Sequence, residues 1–239
     1  MKKINAVLFD LDGTLFHYLP TSGEVILEHL RESGFHISEE DRIRAEHWVH
    51  YYFAHSAEIQ DDDRRFGDDS KGFWVNFTRR RLIAFGISPV RANGLAPQIS
   101  DYMSEAYSPT IQVPEDAHVI LEFLKESGYV LGMVSNRECA YREEMQKLNV
   151  DSYFQFFLAG GEINSFKPDP LIFEHALTLA GTCARETMYV GDNYFADILG
   201  SRRAGLTPVL YDPIRLFPKA DCAVIQSFTD LPELLGSIV

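Results

Sequence analysis

The most constraining feature of this chain is a short apolar run, Ile4–Phe9, that stops abruptly at the polar turn Asp10-Leu11-Asp12-Gly13-Thr14. Polar and apolar residues do not alternate within the run, so it predicts a strand buried on both faces, as in a parallel sheet. Runs of the same kind recur at Val130–Val134, Phe156–Leu158, Met188–Val190 and Thr207–Tyr211. Helical spacing of apolar residues lies between them, at Ala117–Ser127, Tyr141–Leu148, Leu171–Ala180 and Phe195–Arg203. Gly128, Gly181 and Gly205 follow three of these segments, where a helix ends most easily. Strand then helix, repeated, requires crossover connections. The expected fold class is therefore α/β, a doubly wound parallel sheet covered by helices on both faces.

That rhythm breaks between Phe16 and Gln112. This stretch holds no convincing buried strand but has helical patterns at Glu24–Glu32, Glu39–Ala57, Gly72–Phe85 and Ala96–Tyr107. The acidic run Gln60–Asp63 and the cluster Phe66-Gly67-Asp68-Asp69-Ser70 read as loops. The division expected is an α/β core from residues 1–15 and 113–239, interrupted by an all-helical module at 16–112. Internal repeats and low-complexity tracts are absent from the sequence.

Composition narrows the function. With 239 residues, 46% of them hydrophobic and 24% charged, the chain can bury a core and is not expected to be disordered. A formal charge of −13 repels a phosphate backbone and argues against nucleic-acid binding. An anionic substrate would need positive charge supplied locally, by a cation or by Lys and Arg. Cys139, Cys183 and Cys222 are widely spaced and odd in number, so neither a disulfide framework nor a Cys/His metal box is expected. The start MKKINAVLFDLDGTL is interrupted by Asp10 and Asp12 too early to be a signal peptide or a membrane span. No membrane partner is expected, and a reducing, cytoplasmic setting is.

In a parallel sheet, ligands bind beyond the carboxyl ends of the strands. Four strand ends carry polar residues: Asp10, Asp12, Gly13 and Thr14; Ser135 and Asn136; Lys167-Pro168-Asp169, after a loop; and Gly191, Asp192 and Asn193, with Asp197 shortly after. Carboxylates gathered so closely repel one another and need a divalent cation. An oxygen-only set with few protein ligands, leaving room for water and a phosphate, is magnesium behaviour. Phosphoryl transfer needs such charge neutralisation and an in-line nucleophile, and a carboxylate can be that nucleophile through an acyl-phosphate.

Taken in order, FDLDGTL, VSN, KPDP and GDNYFAD resemble the four motifs of the haloacid dehalogenase superfamily. The resemblance implies that Asp10 is the nucleophile and a metal ligand. Asp12 would be the general acid and then base, its backbone carbonyl also on the metal. Thr14 and Ser135, with Asn136 beside them, would bind the phosphoryl oxygens. Lys167 would pair with Asp10 and the phosphoryl group, and Asp192 would bind Mg2+ directly. Asp197 would stand behind the ligands and orient a bound water. The helical insert resembles the family's cap, which closes over the site and selects a small phosphorylated metabolite.

Each motif has an ordinary structural reading as well. Asp12-Gly13 is a common turn, Ser135-Asn136 and Lys167-Pro168 can simply open helices, and Asp197 could be an exposed helix acid. All four coinciding at one sheet edge favours chemistry. His47, His50 and His55 crowd one helix, but Glu46-His47-Trp48-Val49-His50 does not match the zincin i, i+4 spacing, so packing and surface roles are expected; the run Arg79-Arg80-Arg81 reads more as a solvated face than as an anion site. Cys139 has no feature marking it as reactive. Among functions, halide displacement needs no acid two residues after the nucleophile, so Asp12 argues against it. A phosphomutase uses the same core groups. A response-regulator receiver carries its phosphoacceptor after the third strand, and a non-catalytic phospho-ligand scaffold would have lost part of the Asp10, Asp12, Lys167 and Asp192 set.

Overall fold

Every apolar run becomes a strand of one sheet. In chain order the strands are β1 (Ala6–Phe9), β2 (His17–Leu19), β3 (Thr110–Gln112), β4 (Val130–Ser135), β5 (Phe156–Ala159), β6 (Thr187–Gly191), β7 (Thr207–Tyr211) and β8 (Ala223–Ile225). Six form a parallel sheet in the order β5-β4-β1-β6-β7-β8, while β2 and β3 pair separately. The computed structural model describes residues 3–238 and divides into two units. One runs to His17 and resumes at Gln112; the other comprises Tyr18–Ile111.

In the α/β unit β1 is central, with Ala6 opposite both Val130 and Thr187 and Phe9 opposite both Met133 and Val190. All four β1 side chains are fully buried, as a strand without alternation requires. Residues of the sheet pack with Ile172, Phe173 and Ala176 in one apolar cluster. The helix carrying them, Pro170–Ala180, starts on Asp169, whose carboxylate accepts the Leu171 N–H, and ends at Gly181 in the left-handed region. The helix read over Phe195–Arg203 is more particular: Tyr194–Ile198 is a π-helical turn and only Leu199–Arg203 is α-helical. Strand β8 and the closing helix Leu231–Ile238 had no clear signature in the sequence.

The helical unit contains Ser22–Glu32, Glu39–Phe53, Ala57–Phe66, Ser70–Ala84 and Pro89–Ala106. Ile26, Leu30, Ala45, Leu82, Phe85, Ala92 and Ile99 form its buried cluster. Two sequence expectations are corrected here. Gln60–Asp63 is helical, not a loop: Ser56 caps the segment and Asp62 turns inward, buried, to accept from Tyr52 Oη at 3.0 Å and Arg80 Nη2 at 3.0 Å. The arginine run is not a solvated face either. Arg81 is buried and donates to Ser22 Oγ and Glu46 Oε1, Arg80 pairs with Glu58 and Asp62, and Arg79 donates to Asn76 Oδ1. A guanidinium can be buried when its N–H groups find acceptors, and here several helices provide them. No helix among the described residues is long and apolar enough to cross a membrane. All three cysteines are free.

Candidate active site

The functional side chains cluster at the carboxyl edge of β1, β4 and β6. Asp10 leaves β1 still hydrogen-bonded to the sheet, its N–H donating to Val190 O at 2.9 Å. The chain then turns tightly: the N–H groups of Thr14, Leu15 and Phe16 all reach Leu11 O, and Gly13 N–H donates to Phe16 O. The turn brings Thr14 Oγ1 within 3.3 Å of Asp10 Oδ2 and 3.4 Å of Asp192 Oδ1, and the hydroxyl oxygen accepts the Asp192 N–H at 3.0 Å. Gly13 has φ +90°, and a Cβ there would lie 2.3 Å from Asp192 Oδ2. Gly13→Ala should therefore displace the Asp192 carboxylate as well as strain the turn. We expect a loss of about 1–3 kcal/mol by urea unfolding. Wild-type stability in that variant would contradict the packing described.

Lys167 is the hub. Its ammonium is buried at 2% side-chain exposure and donates to Asp10 Oδ1 (2.5 Å), Asp197 Oδ1 (2.7 Å) and Tyr189 Oη (3.0 Å), which uses all three of its protons. Tyr189 in turn donates to Val134 O. Asn136 clamps the lysine main chain: its Nδ2 donates to Lys167 O and its Oδ1 accepts the Lys167 N–H. Asn136 thus acts on the position of Lys167, and Ser135, buried on the last residue of β4, accepts the Arg137 N–H. Asp197 is fully buried and its second oxygen accepts the Asn193 N–H. The π-helical turn holds it there: the Ile198 and Leu199 N–H groups reach five residues back, to Asn193 O and Tyr194 O. Asp12 faces another way, toward Arg137.

Oxygens of Asp10, Asp192 and Asp197 lie within 4.8 Å of one another, the metal-capable cluster among the described residues. His47, His50 and His55 form no such group. Burial pushes the Asp10 carboxyl up to about 7 against the pull of Lys167, with Asp197 adding to the rise. Burial likewise raises Asp192, and the neighbouring Asp10 and Asp197 charges raise it further. Burial opposes the Lys167 charge, but Asp10 and Asp197 outweigh it and hold the ammonium protonated. One lysine against three crowded acids leaves a deficit of positive charge. An all-oxygen donor set in that state fits a hard divalent cation.

A family model for haloacid dehalogenase-like hydrolases matches residues 4–205. The chain belongs to that family. Among its relatives, a ribulose-1,5-bisphosphate 5-phosphatase of Halopiger xanaduensis is 28% identical over 87% of this chain and 84% of its own length. An N-acylneuraminate-9-phosphatase of Rattus norvegicus is 25% identical over 100% and 96%. A glyceraldehyde 3-phosphate phosphatase of Methanopyrus kandleri is 27% identical over 86% and 83%. Among solved structures, a 2-haloacid dehalogenase from Pseudomonas syringae pv. Tomato has a TM-score of 0.58 at 25% identity, covering 99% of this chain and 100% of its own. A HAD phosphatase from Thermococcus onnurineus has a TM-score of 0.56 at 22% identity, covering 98% of each chain. The haloacid dehalogenase fold is therefore shared with enzymes of two chemistries, and the reaction must be read from the site.

Two residues of the cluster escaped the sequence reading. Tyr189 sits mid-strand and looks like ordinary core; only its hydroxyl, unexpected in a strand buried on both sides, hinted at a polar partner. Arg137 directly follows Ser135-Asn136, and a cation at a strand end facing acidic loops was the available signal.

Proposed function

We propose that this hydrolase is a magnesium-dependent phosphomonoesterase that works through a phosphoaspartyl intermediate on Asp10. The observation that carries this reading is the Asp10–Lys167–Asp197 arrangement next to Asp192. It provides a fixed carboxylate, a buried cation beside it, and an oxygen set whose charge calls for a second cation. Curated relatives named as phosphatases of ribulose bisphosphate, glyceraldehyde phosphate and acylneuraminate phosphate support a small phosphorylated metabolite as substrate.

In this mechanism an Asp10 oxygen forms a bond to phosphorus as the bond from phosphorus to the ester oxygen breaks, and Asp12 gives that oxygen a proton. Asp12 then takes a proton from water, which attacks phosphorus, releasing phosphate and regenerating the Asp10 carboxylate. Lys167 balances charge that builds on the phosphoryl group, and Thr14 and Ser135 hydrogen-bond its oxygens. Asn136 keeps Lys167 in place. Asp10 and Asp192, with the Asp12 carbonyl, would hold Mg2+, with Asp197 behind them; the ion supplies charge neutralisation for phosphoryl oxygens. Asp12 favours this reading over halide displacement, which has no leaving oxygen to protonate. We assign the helical unit the role of cap, and with it the choice of metabolite.

The test is a panel of phosphorylated metabolites assayed with Mg2+, with a chelator, and with Mg2+ restored. Activity should vanish and return. The pH dependence of Mg2+ affinity follows from the raised acids. Protons and the cation compete for Asp10 and Asp192, so affinity should rise with pH up to and through about pH 7, where Asp10 loses its proton. Each proton displaced steepens the rise by about tenfold per pH unit. Calorimetry in buffers of different ionisation enthalpy reads that proton release directly. Full turnover after exhaustive chelation, or an affinity flat across this range, would refute the proposal.

A further inference from the structure

The group that faces the Asp12 carboxylate has no role in the scheme above. Arg137 donates from Nε to Asp12 Oδ2 at 2.8 Å and from Nη2 to Asp12 Oδ1 at 2.7 Å, a two-bond fork on one carboxylate. Its remaining arm, Nη1, donates to Glu144 Oε2 at 2.6 Å. The guanidinium carbon also lies 5.8 Å from the Phe16 ring centre and 5.7 Å from that of Tyr141. The main chain is held on both sides: Arg137 N–H donates to Ser135 Oγ, and Arg137 O accepts from Gly161 N–H. The arginine side chain is 21% exposed and that of Asp12 37%.

We propose that Arg137 is the positioning residue for Asp12, fixing the direction and plane of its carboxylate, with Glu144 as the anchor that fixes Arg137. This rests on the phosphatase reading, in which Asp12 carries the proton to and from the ester oxygen. A carboxylate on a turn, more than a third exposed, can rotate about two bonds. Proton transfer requires it within hydrogen-bond reach of one oxygen. A forked guanidinium restricts orientation as well as distance, because both N–H groups must align with both oxygens, whereas a lysine leaves the plane free; one bond of the fork gives way while an Asp12 oxygen carries the proton and the other keeps the group aimed. A partly exposed ion pair contributes little to stability, so a purely structural role would be nearly silent in activity as well. A positioning role is selective: it affects the reaction in proportion to how much the leaving oxygen needs a proton.

The experiment uses the full-length enzyme and two substrates, an alkyl ester (glycerol 2-phosphate) and an aryl ester (p-nitrophenyl phosphate) whose leaving group needs little protonation. Asp12→Asn is the reference: its kcat/KM, which reports phosphoryl transfer to Asp10, should fall far more for the alkyl ester than for the aryl one, and the aryl ester should leave phosphorylated Asp10 to accumulate. Arg137→Gln should reproduce that pattern in weaker form: kcat/KM for the alkyl ester falls by up to about 10²-fold, kcat/KM for the aryl ester changes little, and phosphorylated Asp10 builds up during aryl turnover because the shared water step is slowed. Arg137→Lys should recover part of the alkyl activity, as should added guanidinium ion with Arg137→Gln. Glu144→Gln, which leaves Arg137 and Asp12 intact, should give a smaller loss of the same selective kind. In the Asp12→Asn background, Arg137→Gln should cost almost nothing further, because the two act as one unit.

Equal losses on both esters with a raised KM would overturn the proposal and make Arg137 a ligand for the substrate anion. Full activity in Arg137→Gln would reduce it to a surface ion pair, and additive losses in the double variant would place its effect elsewhere. If Asp12→Asn loses kcat/KM for both esters alike, with no phosphorylated Asp10 trapped, the acid–base reading of Asp12 fails, and the role of Arg137 fails with it.

Discussion

Asp10→Asn should lower phosphatase turnover by about 10⁴-fold or more, because it removes the atom that bonds to phosphorus and not merely a group that assists. The change is nearly isosteric and the site is rigid around it, with Asp10 N–H still bonded to Val190 O and Lys167 still held by Asp197 and Tyr189. The fold should survive. The decisive readout is the intermediate: wild-type enzyme mixed with substrate and quenched in acid should carry a phosphoryl adduct, detected by intact mass and mapped to Asp10. The variant should carry none, even with an excess of substrate. A variant that keeps the adduct, or wild-type turnover with the adduct on another side chain, would remove Asp10 from the centre of the mechanism.

Lys167→Met should be the most damaging change to the structure as well as to the chemistry. The lysine is buried between Asp10 and Asp197, and removing one member of a buried ion pair leaves the other uncompensated, at a cost of about 3–5 kcal/mol. Methionine fills much the same volume, so the loss should come from charge and hydrogen bonding and not from a cavity. Turnover should fall by about 10²–10³-fold, since the charge that builds on the phosphoryl group loses its nearest fixed counterpart. The metal response separates these effects. Added Mg2+ should raise the urea midpoint of the variant more than that of wild type, because the acids then lack any other cation. A variant as stable as wild type without metal would mean that the buried pair is not holding this edge of the sheet together.

Most of the core could be read in the sequence because burial on both faces leaves a plain mark. Thr207–Tyr211 is a strand to the residue, and Gly128, Gly181 and Gly205 all stand in the left-handed region after their helices. The polar strand ends were legible for the same reason: Asp10 or Ser135 interrupts an apolar run that packing alone would have continued. Part of what could not be read depended on partners far away in the chain, and part on local geometry that residue type does not announce. The acidic run Gln60–Asp63 looks like a loop until Tyr52 and Arg80 are placed against Asp62. Pro89–Ala106 starts earlier than its apolar pattern because Pro89 serves as a helix opener and the Pro97 inside it is tolerated. The π-helical turn that directs Asp197 inward is set by short-range bonds back to Asn193 and Tyr194, but the residue types there do not distinguish it from an ordinary helix start. Asn136 beside the phosphoryl group was a reasonable expectation of type, but its two bonds to Lys167 could only come from the tertiary structure.

The central place of β1 bears on how the molecule is made. The strand that ends in Asp10 leaves the ribosome well before both of its neighbours, β4 and β6, which come more than a hundred residues later. At bacterial or eukaryotic elongation speeds of about 5–20 residues per second, β1 waits on the order of 10–40 s before Thr187 can pair with Ala6. The helices between Ser22 and Ala106 need no such delay, because their buried cluster is drawn from nearby sequence. Synthesis thus favours a helical unit that forms early, while an apolar strand at its amino-terminal side remains unsatisfied. In that interval Val7, Leu8 and Phe9, fully buried in the finished protein, are a natural target for chaperones that bind short hydrophobic segments.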